Sequence, residues 1–257
     1  MIEDNILLSF AHDRISKCIN DYVVTSTAFL DVRQQSLVLR EFSAIHEVRT
    51  TLYGGFDTAE RLVAVFLPYY VEEELSEYFL NNPDDNPLTV IRFLKDSFSH
   101  AGHRDYLGAL MGLGIKREMI GDIIVTETGA DIVVLKIIAP FILAELKSAG
   151  RATLRAQEIS VAEISTAVSS AQEITINVSS MRIDNIISAC YKLSRADSAE
   201  AILSGGVFVN SLQILKCDKK VNPGDKIVFR TKGKAVIKET TGASKKGRLF
   251  LKVDMYN

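Results

Sequence analysis

The chain contains no tryptophan, only three cysteines and five prolines, and no apolar run that could span a bilayer. Each scarcity excludes a class of protein. Cys18, Cys190 and Cys217 are odd in number and show no metal-ligand spacing, so neither a disulfide scaffold nor a zinc cage is expected, and they read as packing residues in a reducing compartment. No stretch approaches the roughly 18 apolar residues of a transmembrane helix, and Met1-Ile2-Glu3-Asp4 is acidic where a secretory leader would be basic. A cytoplasmic protein without membrane contact is expected. Gly108, Gly112 and Gly114 form neither a GxxxxGK loop nor a GxGxxG turn, so no nucleotide cofactor is expected and their reading is close packing or a helix end. His100-Ala101-Gly102-His103 with Asp105 would bring two imidazoles together only on a helix, which Gly102 weakens, so no metal is expected. Ser97, Ser99, His103 and Asp105 include triad ingredients, but no GxSxG elbow accompanies them. No catalytic residues and no cofactor are assigned.

What the chain does have is a separation of charge. Residues 181–257 carry 15 Lys plus Arg against 7 Asp plus Glu, a formal +8, while residues 1–180 carry 15 against 25, a formal −10. The near-neutral total conceals this polarity. A basic segment of that kind suits a polyanion, because phosphate neutralisation supplies most of the sequence-independent affinity for nucleic acid.

The basic segment also has a readable architecture. Ile183, Ile186, Ile187, Cys190 and Leu193 recur at helical spacing and should face inward, leaving Arg182, Lys192 and Arg195 along an exposed edge. Ser194-Arg195-Ala196-Asp197 fits a capping box that opens a second helix, with Ala196, Ala199, Ile202 and Leu203 expected on its inner face. Gly205-Gly206 ends that helix. Val207-Phe208-Val209 is a short strand, Asn210-Ser211 a turn, and Asn222-Pro223-Gly224-Asp225 a second turn before a strand over 226–230.

This ordered set resembles the alpha-L RNA-binding domain, named after the small-subunit ribosomal protein S-four. The residues that carry the resemblance are Arg182-Ile183-Asp184, Leu193-Ser194-Arg195, Ala199, Ile202, Gly205, Val207, Val209-Asn210 and Pro223-Gly224-Asp225. The resemblance implies binding of structured RNA through the helix pair and the following loop, with Arg182, Lys192, Arg195 and Asn210 near the RNA backbone. Ser194, Lys216, Lys219, Lys220 and Lys232 complete the candidate set.

Upstream, the pattern between Pro87 and Ile164 alternates. Strands are expected over 88–94, 120–126, 131–138 and 153–160, and helices over 103–112 and 140–147, which is the βαββαβ order of ferredoxin-like and RRM-like domains. Ile123-Ile124-Val125 and Ile132-Val133-Val134-Leu135 carry no aromatic residue on which a base could stack, so a scaffold or protein-contact domain is expected there. Before it, helices are expected over 6–22 and 32–49. The loop Asn81 to Pro87 and the Ser- and Ala-rich stretch at Ala167 to Ala171 mark boundaries. The expected fold class is α+β in three parts: an N-terminal α/β region over 1–75, a ferredoxin/RRM-like middle domain over 76–165 and a small alpha-L domain over 173–257.

Two further segments widen the resemblance. Tyr53-Gly54-Gly55-Phe56-Asp57-Thr58-Ala59-Glu60-Arg61, and Gly102-His103-Arg104-Asp105-Tyr106-Leu107-Gly108-Ala109-Leu110 with Leu113-Gly114-Ile115-Lys116-Arg117 and Ile120-Gly121-Asp122-Ile123, are similar to signatures of the YlmH family. That resemblance implies a non-catalytic protein of the large ribosomal subunit, meeting rRNA, tRNA or both, and engaged in quality control where the nascent chain on a stalled subunit is tailed. His103, Arg104, Lys116 and Arg117 are a possible second RNA contact, and the acidic N-terminal region a possible site for a protein factor. The alternatives are an interaction protein linked to cell division and an accessory to an RNA-modifying enzyme. An RNA-modifying enzyme itself is disfavoured, because a synthase would place the Gly-Arg-Leu-Asp context in a large catalytic domain after the module, whereas Arg182-Ile183-Asp184 belongs to the module.

Overall fold

A helix over Ile2–Asp21 (α1) opens the chain and leads to a two-residue strand, Thr25–Ser26 (β1). Then come Val32–Phe42 (α2), Val48–Tyr53 (β2), Val63–Pro68 (β3), Leu75–Asn81 (α3), Leu88–Lys95 (β4), His103–Gly112 (α4), Ile120–Val125 (β5), Gly129–Leu135 (β6), Ala139–Glu145 (α5), Ser148–Ala149 (β7) and Ala152–Ile159 (β8). The computed structural model describes residues 2–164, 172–230, 232–244 and 247–256, so the boundary expected at Ala167 to Ala171 lies outside the described residues. The chain is α+β, and divides into two compact units, Met1–Ala167 and Val168–Asn257.

In the first unit β3 decides the layering. Its six residues are all buried, so it has no polar face to turn to water. Ala64 and Phe66 point to one side, where Ala11, Ile15 and Cys18 of α1 and Val38 and Phe42 of α2 enclose them. Val63, Val65 and Leu67 point to the other side, against Leu88, Val90, Val133 and Ile159 of a second sheet. Alternate residues of one strand thus serve two cores.

The second sheet runs β5-β6-β4-β8-β7, antiparallel throughout, with the βαββαβ elements in split-βαβ order. Its far face, Ile91, Phe93, Ile132 and Val134, lies beneath Tyr106 and Leu110 of α4 and Ile142 of α5. The result is a helix, sheet, sheet, helix sandwich. Leu75 and Phe79 of α3 belong to the core shared by the two sheets, so the boundary expected at residues 75 and 76 falls inside a packed helix.

Polar contacts register the two sheets as firmly as the apolar ones. Arg61 Nε donates to the Ile120 carbonyl at 3.0 Å, and its Nη2 donates to the carbonyls of Phe29 and Arg117 at 3.3 Å each. In return, the Asp122 carboxylate accepts the backbone N–H groups of Glu60 at 2.6 Å and Arg61 at 3.3 Å. Burial lowers the Arg61 pKa and raises that of Asp122. Gly121 lies so close to the N-terminal layer that a Cβ there would stand 2.7 Å from the Phe29 ring. The signature loop Tyr53 to Arg61 is therefore structural adhesive between layers.

Several elements differ from expectation. The second helix ends at Phe42, with Ser43 as its C-cap, because Val48 to Tyr53 pairs with β3 as a strand instead of continuing the helix to residue 49. The strand expected to reach residue 138 ends at Leu135, and Lys136–Ile138 is a 3-10 turn running into α5.

The second unit comprises Gln172–Val178 (β9), Ile183–Tyr191 (α6), Arg195–Leu203 (α7), Val207–Val209 (β10), Leu212–Gln213 (β11), Lys226–Phe229 (β12), Gly233–Ala243 (β13) and Leu249–Tyr256 (β14). Its sheet, in the order β11-β10-β12-β13-β14-β9, packs Val207, Ile227, Ala235, Ile237, Leu251 and Val253 against Ile183, Ile186, Ile187 and Cys190 of α6. The inner face of α7 is narrower than expected. Ser198 and Ile202 are its buried positions, whereas Ala196 and Leu203 are exposed. Ser198 tolerates burial because its Oγ donates to the Ser194 carbonyl at 2.8 Å. Among the described residues, no helix is long and apolar enough to cross a membrane. Burial raises the thiols of Cys18 and Cys190 to about 11 and about 12, so both remain protonated at neutral pH.

If Arg61 ties the layers together, Arg61→Ala leaves interior carbonyls without donors and costs about 2–4 kcal/mol. Arg61→Lys recovers little, since a single ammonium cannot reproduce the guanidinium fork. Urea unfolding of the full chain, with hydrogen exchange read at residues 117–125, checks both; wild-type exchange in Arg61→Ala would refute the assignment.

Candidate nucleic-acid interface

The candidate residues of the second unit gather at the two ends of α6. At its N-terminal end, the segment 216–220 crosses the helix start: Ile183 N–H donates to the Lys219 carbonyl at 2.8 Å, and Arg182 bridges to Lys220 in antiparallel pairing. Arg182, Lys219 and Lys220 are thus adjacent, with Lys216 one turn away, and the positive end of the helix dipole adds to them. At the C-terminal end, Lys192 caps α6 in the left-handed conformation, with φ 54° and ψ 44°. Ser194 then caps α7, its side chain accepting from Asp197 N–H at 3.1 Å, and Arg195 is the first residue of that helix. Tyr191 Oη donates to the Gly233 carbonyl at 3.1 Å, which brings the turn holding Lys232 to the same end. Nine helical residues separate the two groups by about 13 Å, enough for each to meet a different phosphate.

The cations of this unit fall into two kinds. Lys238 pairs with Asp254 at 3.1 Å, Lys252 with Glu239 at 3.0 Å, and Lys234 lies buried over the Tyr256 ring at 4.4 Å. Arg248 is bonded to Asn177. These serve the sheet. Lys192, Arg195, Lys216, Lys219, Lys220 and Lys232 are exposed and form no ion pair among the described residues. Arg230, at the end of β12, joins them; sequence reading passed over it, although its place beside Lys232 in a hairpin was a usable signal. Arg182 is intermediate in character, since a bidentate pair with Asp184, at 3.1 and 2.7 Å, raises its pKa.

Asn210 is committed elsewhere. Its Nδ2 donates to Asp225 Oδ1 at 2.8 Å, and its Oδ1 accepts from Lys226 N–H at 2.9 Å. With φ 48° at Asn210 and 64° at Ser211, the pair makes the left-handed hairpin turn that the amide then ties to the Pro223-Gly224-Asp225 turn. Gly205 is similarly constrained: φ is +77°, and a Cβ there would stand 2.5 Å from Gln213 Nε2.

The possible second contact is not one cluster. His103 and Arg104 are exposed in the first turn of α4, while Lys116 and Arg117 follow its other end, about 15 Å away. Arg117 donates through Nη1 to the carbonyls of Ile120, at 2.5 Å, and Gly121, at 3.2 Å. Burial, then the nearby Arg61 charge, pulls its pKa down to about 10. The sheet face on which an RRM-like domain would stack bases is covered in this protein by β3. Among the described residues no group of three or more His, Cys, Asp or Glu is placed to hold a metal ion.

A sandwiched split-βαβ domain and a second unit with a basic two-helix segment define an α+β protein, and comparison with known proteins gives its family. Residues 87–163 match the family described as the putative RNA-binding domain in YlmH. The ribosome-associated protein quality control protein P2 of Bacillus subtilis (strain 168) is 30% identical over 227 residues, spanning 88% of this chain and 85% of that protein. The solved structure of the cell division protein ylmH from Streptococcus pneumoniae is similar in fold, with a TM-score of 0.50 at 21% identity over 64% of this chain and 96% of its own. The chain belongs to the YlmH family. The family description attaches RNA binding to a segment whose aromatic-poor strands suggested a scaffold; with that sheet face covered, exposed surface remains on its helices, strand edges and loops.

Because the Asn210 amide holds two turns together, Asn210→Ala should lower stability by about 1–3 kcal/mol. Chemical denaturation of the variant checks this, and an unchanged midpoint would show that the side chain is free for a ligand.

Proposed function

We propose that this protein is a cytoplasmic RNA-binding protein that works on the large ribosomal subunit and acts by occupancy, without catalytic turnover. The observation that supports the reading is the set of exposed cations at both ends of α6 that form no ion pair among the described residues. No intramolecular ion pair among the described residues has to be broken before these side chains meet a phosphate. The relative named for ribosome-associated quality control supports the ribosome as the RNA's setting. In this reading the subunit still carries tRNA, and the protein stabilises a state in which a stalled nascent chain is tailed and released. The basic second unit then grips rRNA or tRNA, and the negative charge of residues 1–86 disfavours binding of the polyanion there.

Four to six phosphate contacts would make affinity fall by about two to four powers of ten between roughly 50 and 200 mM salt. Arg195→Glu should weaken binding to different RNAs about equally and flatten that salt slope. Lys192→Gly separates binding from folding: glycine accepts the left-handed φ, so stability stays the same or rises by at most about 1 kcal/mol while RNA affinity falls. A variant that lost both together would show that Lys192 is structural.

Copurification from cells tests the ribosomal setting. Large subunits bearing peptidyl-tRNA should accompany the wild type and be much reduced with Lys192→Gly and Arg195→Glu combined. Recovery of free RNA alone would leave generic RNA binding and remove the quality-control role.

A further inference from the structure

The acidic excess of the first unit is confined to its N-terminal layer. Residues 1–86 hold 15 Asp plus Glu against 6 Lys plus Arg, whereas residues 87–163 hold nine of each. On that layer three tyrosines stand together in solvent: Tyr22, Tyr69 and Tyr70 are 59%, 69% and 54% exposed. Tyr70 Oη donates to the Tyr22 carbonyl at 2.8 Å, and the Tyr69 and Tyr70 rings meet edge to face with centroids 5.9 Å apart. A groove of about 440 Å³ opens beside them, lined by Tyr22 and Tyr69 together with Ile19, His46, Glu47 and Pro68.

Two features separate this patch from scattered surface aromatics. Tyr22 follows α1 with φ +57°, a backbone state that glycine or asparagine adopts more cheaply, and a residue left 59% exposed recovers little burial for that cost. Directly after Tyr70 and Val71 come the exposed carboxylates of Glu72, Glu73 and Glu74. Arg49, beside them, is engaged with the backbone carbonyls of Glu72 and Glu73 at 3.3 and 2.6 Å.

We propose that the face formed by Tyr22, Tyr69, Tyr70 and Glu72 to Glu74 is a docking surface for an arginine-rich segment of another protein. The chemistry selects that occupant. Tyrosine faces attract guanidinium groups, the carboxylates pair with them in bidentate fashion, and the groove takes an apolar side chain or the aliphatic stem of an arginine. The same negative charge repels RNA, which leaves the basic module and this face to bind different classes of partner. Tyrosine and arginine are also the residues on which interface energy concentrates.

The test uses the full chain and a fluorescent oligoarginine peptide, with oligolysine for comparison, in anisotropy titrations without RNA. Saturable binding with arginine preferred over lysine is expected. Tyr22→Gly combined with Tyr69→Ala should weaken it roughly tenfold, with the melting temperature unchanged because glycine keeps the left-handed backbone and both side chains are exposed. Equal affinity in the tyrosine variant, or loss only on Glu72→Gln and Glu73→Gln, would reduce the effect to general electrostatics and overturn the site. Self-association of the wild type that the tyrosine variant abolishes would also overturn it, by assigning the face to a second copy.

Discussion

The burial of β3 on both faces is the constraint from which the first unit follows. A strand of Val, Ala, Val, Phe and Leu closed by Pro68 cannot sit at a surface, so it must lie between two layers that each contribute an apolar face. Helices α1 and α2 supply one layer, and the split-βαβ sheet supplies the other. What the sheet gains in stability it loses as a platform, because the face that related domains turn toward single-stranded RNA is now interior. Arg61 and Asp122 then fix the register of the layers, which gives a loop rich in conspicuous glycine, aromatic and charged residues a structural task.

The second unit divides its charge by location. Cations on β13 and β14 are matched by carboxylates across the strands or laid over an aromatic ring, and they contribute to the sheet. Of those at the helix ends and connecting turns, Arg182 pairs with Asp184, while Lys192, Arg195, Lys216, Lys219, Lys220 and Lys232 have no ion pair among the described residues. Stability and the proposed recognition surface therefore draw on largely different residues, and that surface can vary without unpicking the core formed by Ile183, Ile186, Ile187, Ile227 and Leu251.

The helices were legible in the sequence wherever one face was apolar at helical spacing. The residues of α6 and the start of α4 are the clearest cases. The N-terminal sheet was not, because a continuous apolar run such as β3 has no period by which to tell strand from helix, and Val48 and Arg49 at the start of β2 read as the tail of α2. The hairpin of β13 and β14 escaped for another reason: register shifts between Ile237 and Glu239 and between Thr240 and Gly242 change the phase of the alternation. At the candidate interface, position was readable and commitment was not. Arg117 and Asn210 look as available as Arg195 on paper, yet their partners are set by the tertiary fold, with Asp225 lying 15 residues from Asn210.

The shared core also sets a timetable for synthesis. Val63, Val65 and Leu67 leave the ribosome well before the residues that cover them, since β4 begins at Leu88, β6 at Gly129 and β8 at Ala152. Both neighbours of β3 in its sheet, β1 and β2, precede it in the chain, so for the time needed to translate that interval, at roughly 5–20 residues per second, it is one apolar face of the strand that waits without cover. The acidic residues around them, from Asp57 and Glu60 to Glu72, Glu73 and Glu74, keep the waiting segment negatively charged and so resistant to pairing with another nascent chain. The charge of the N-terminal layer thus opposes association between nascent copies during the seconds before the second sheet exists.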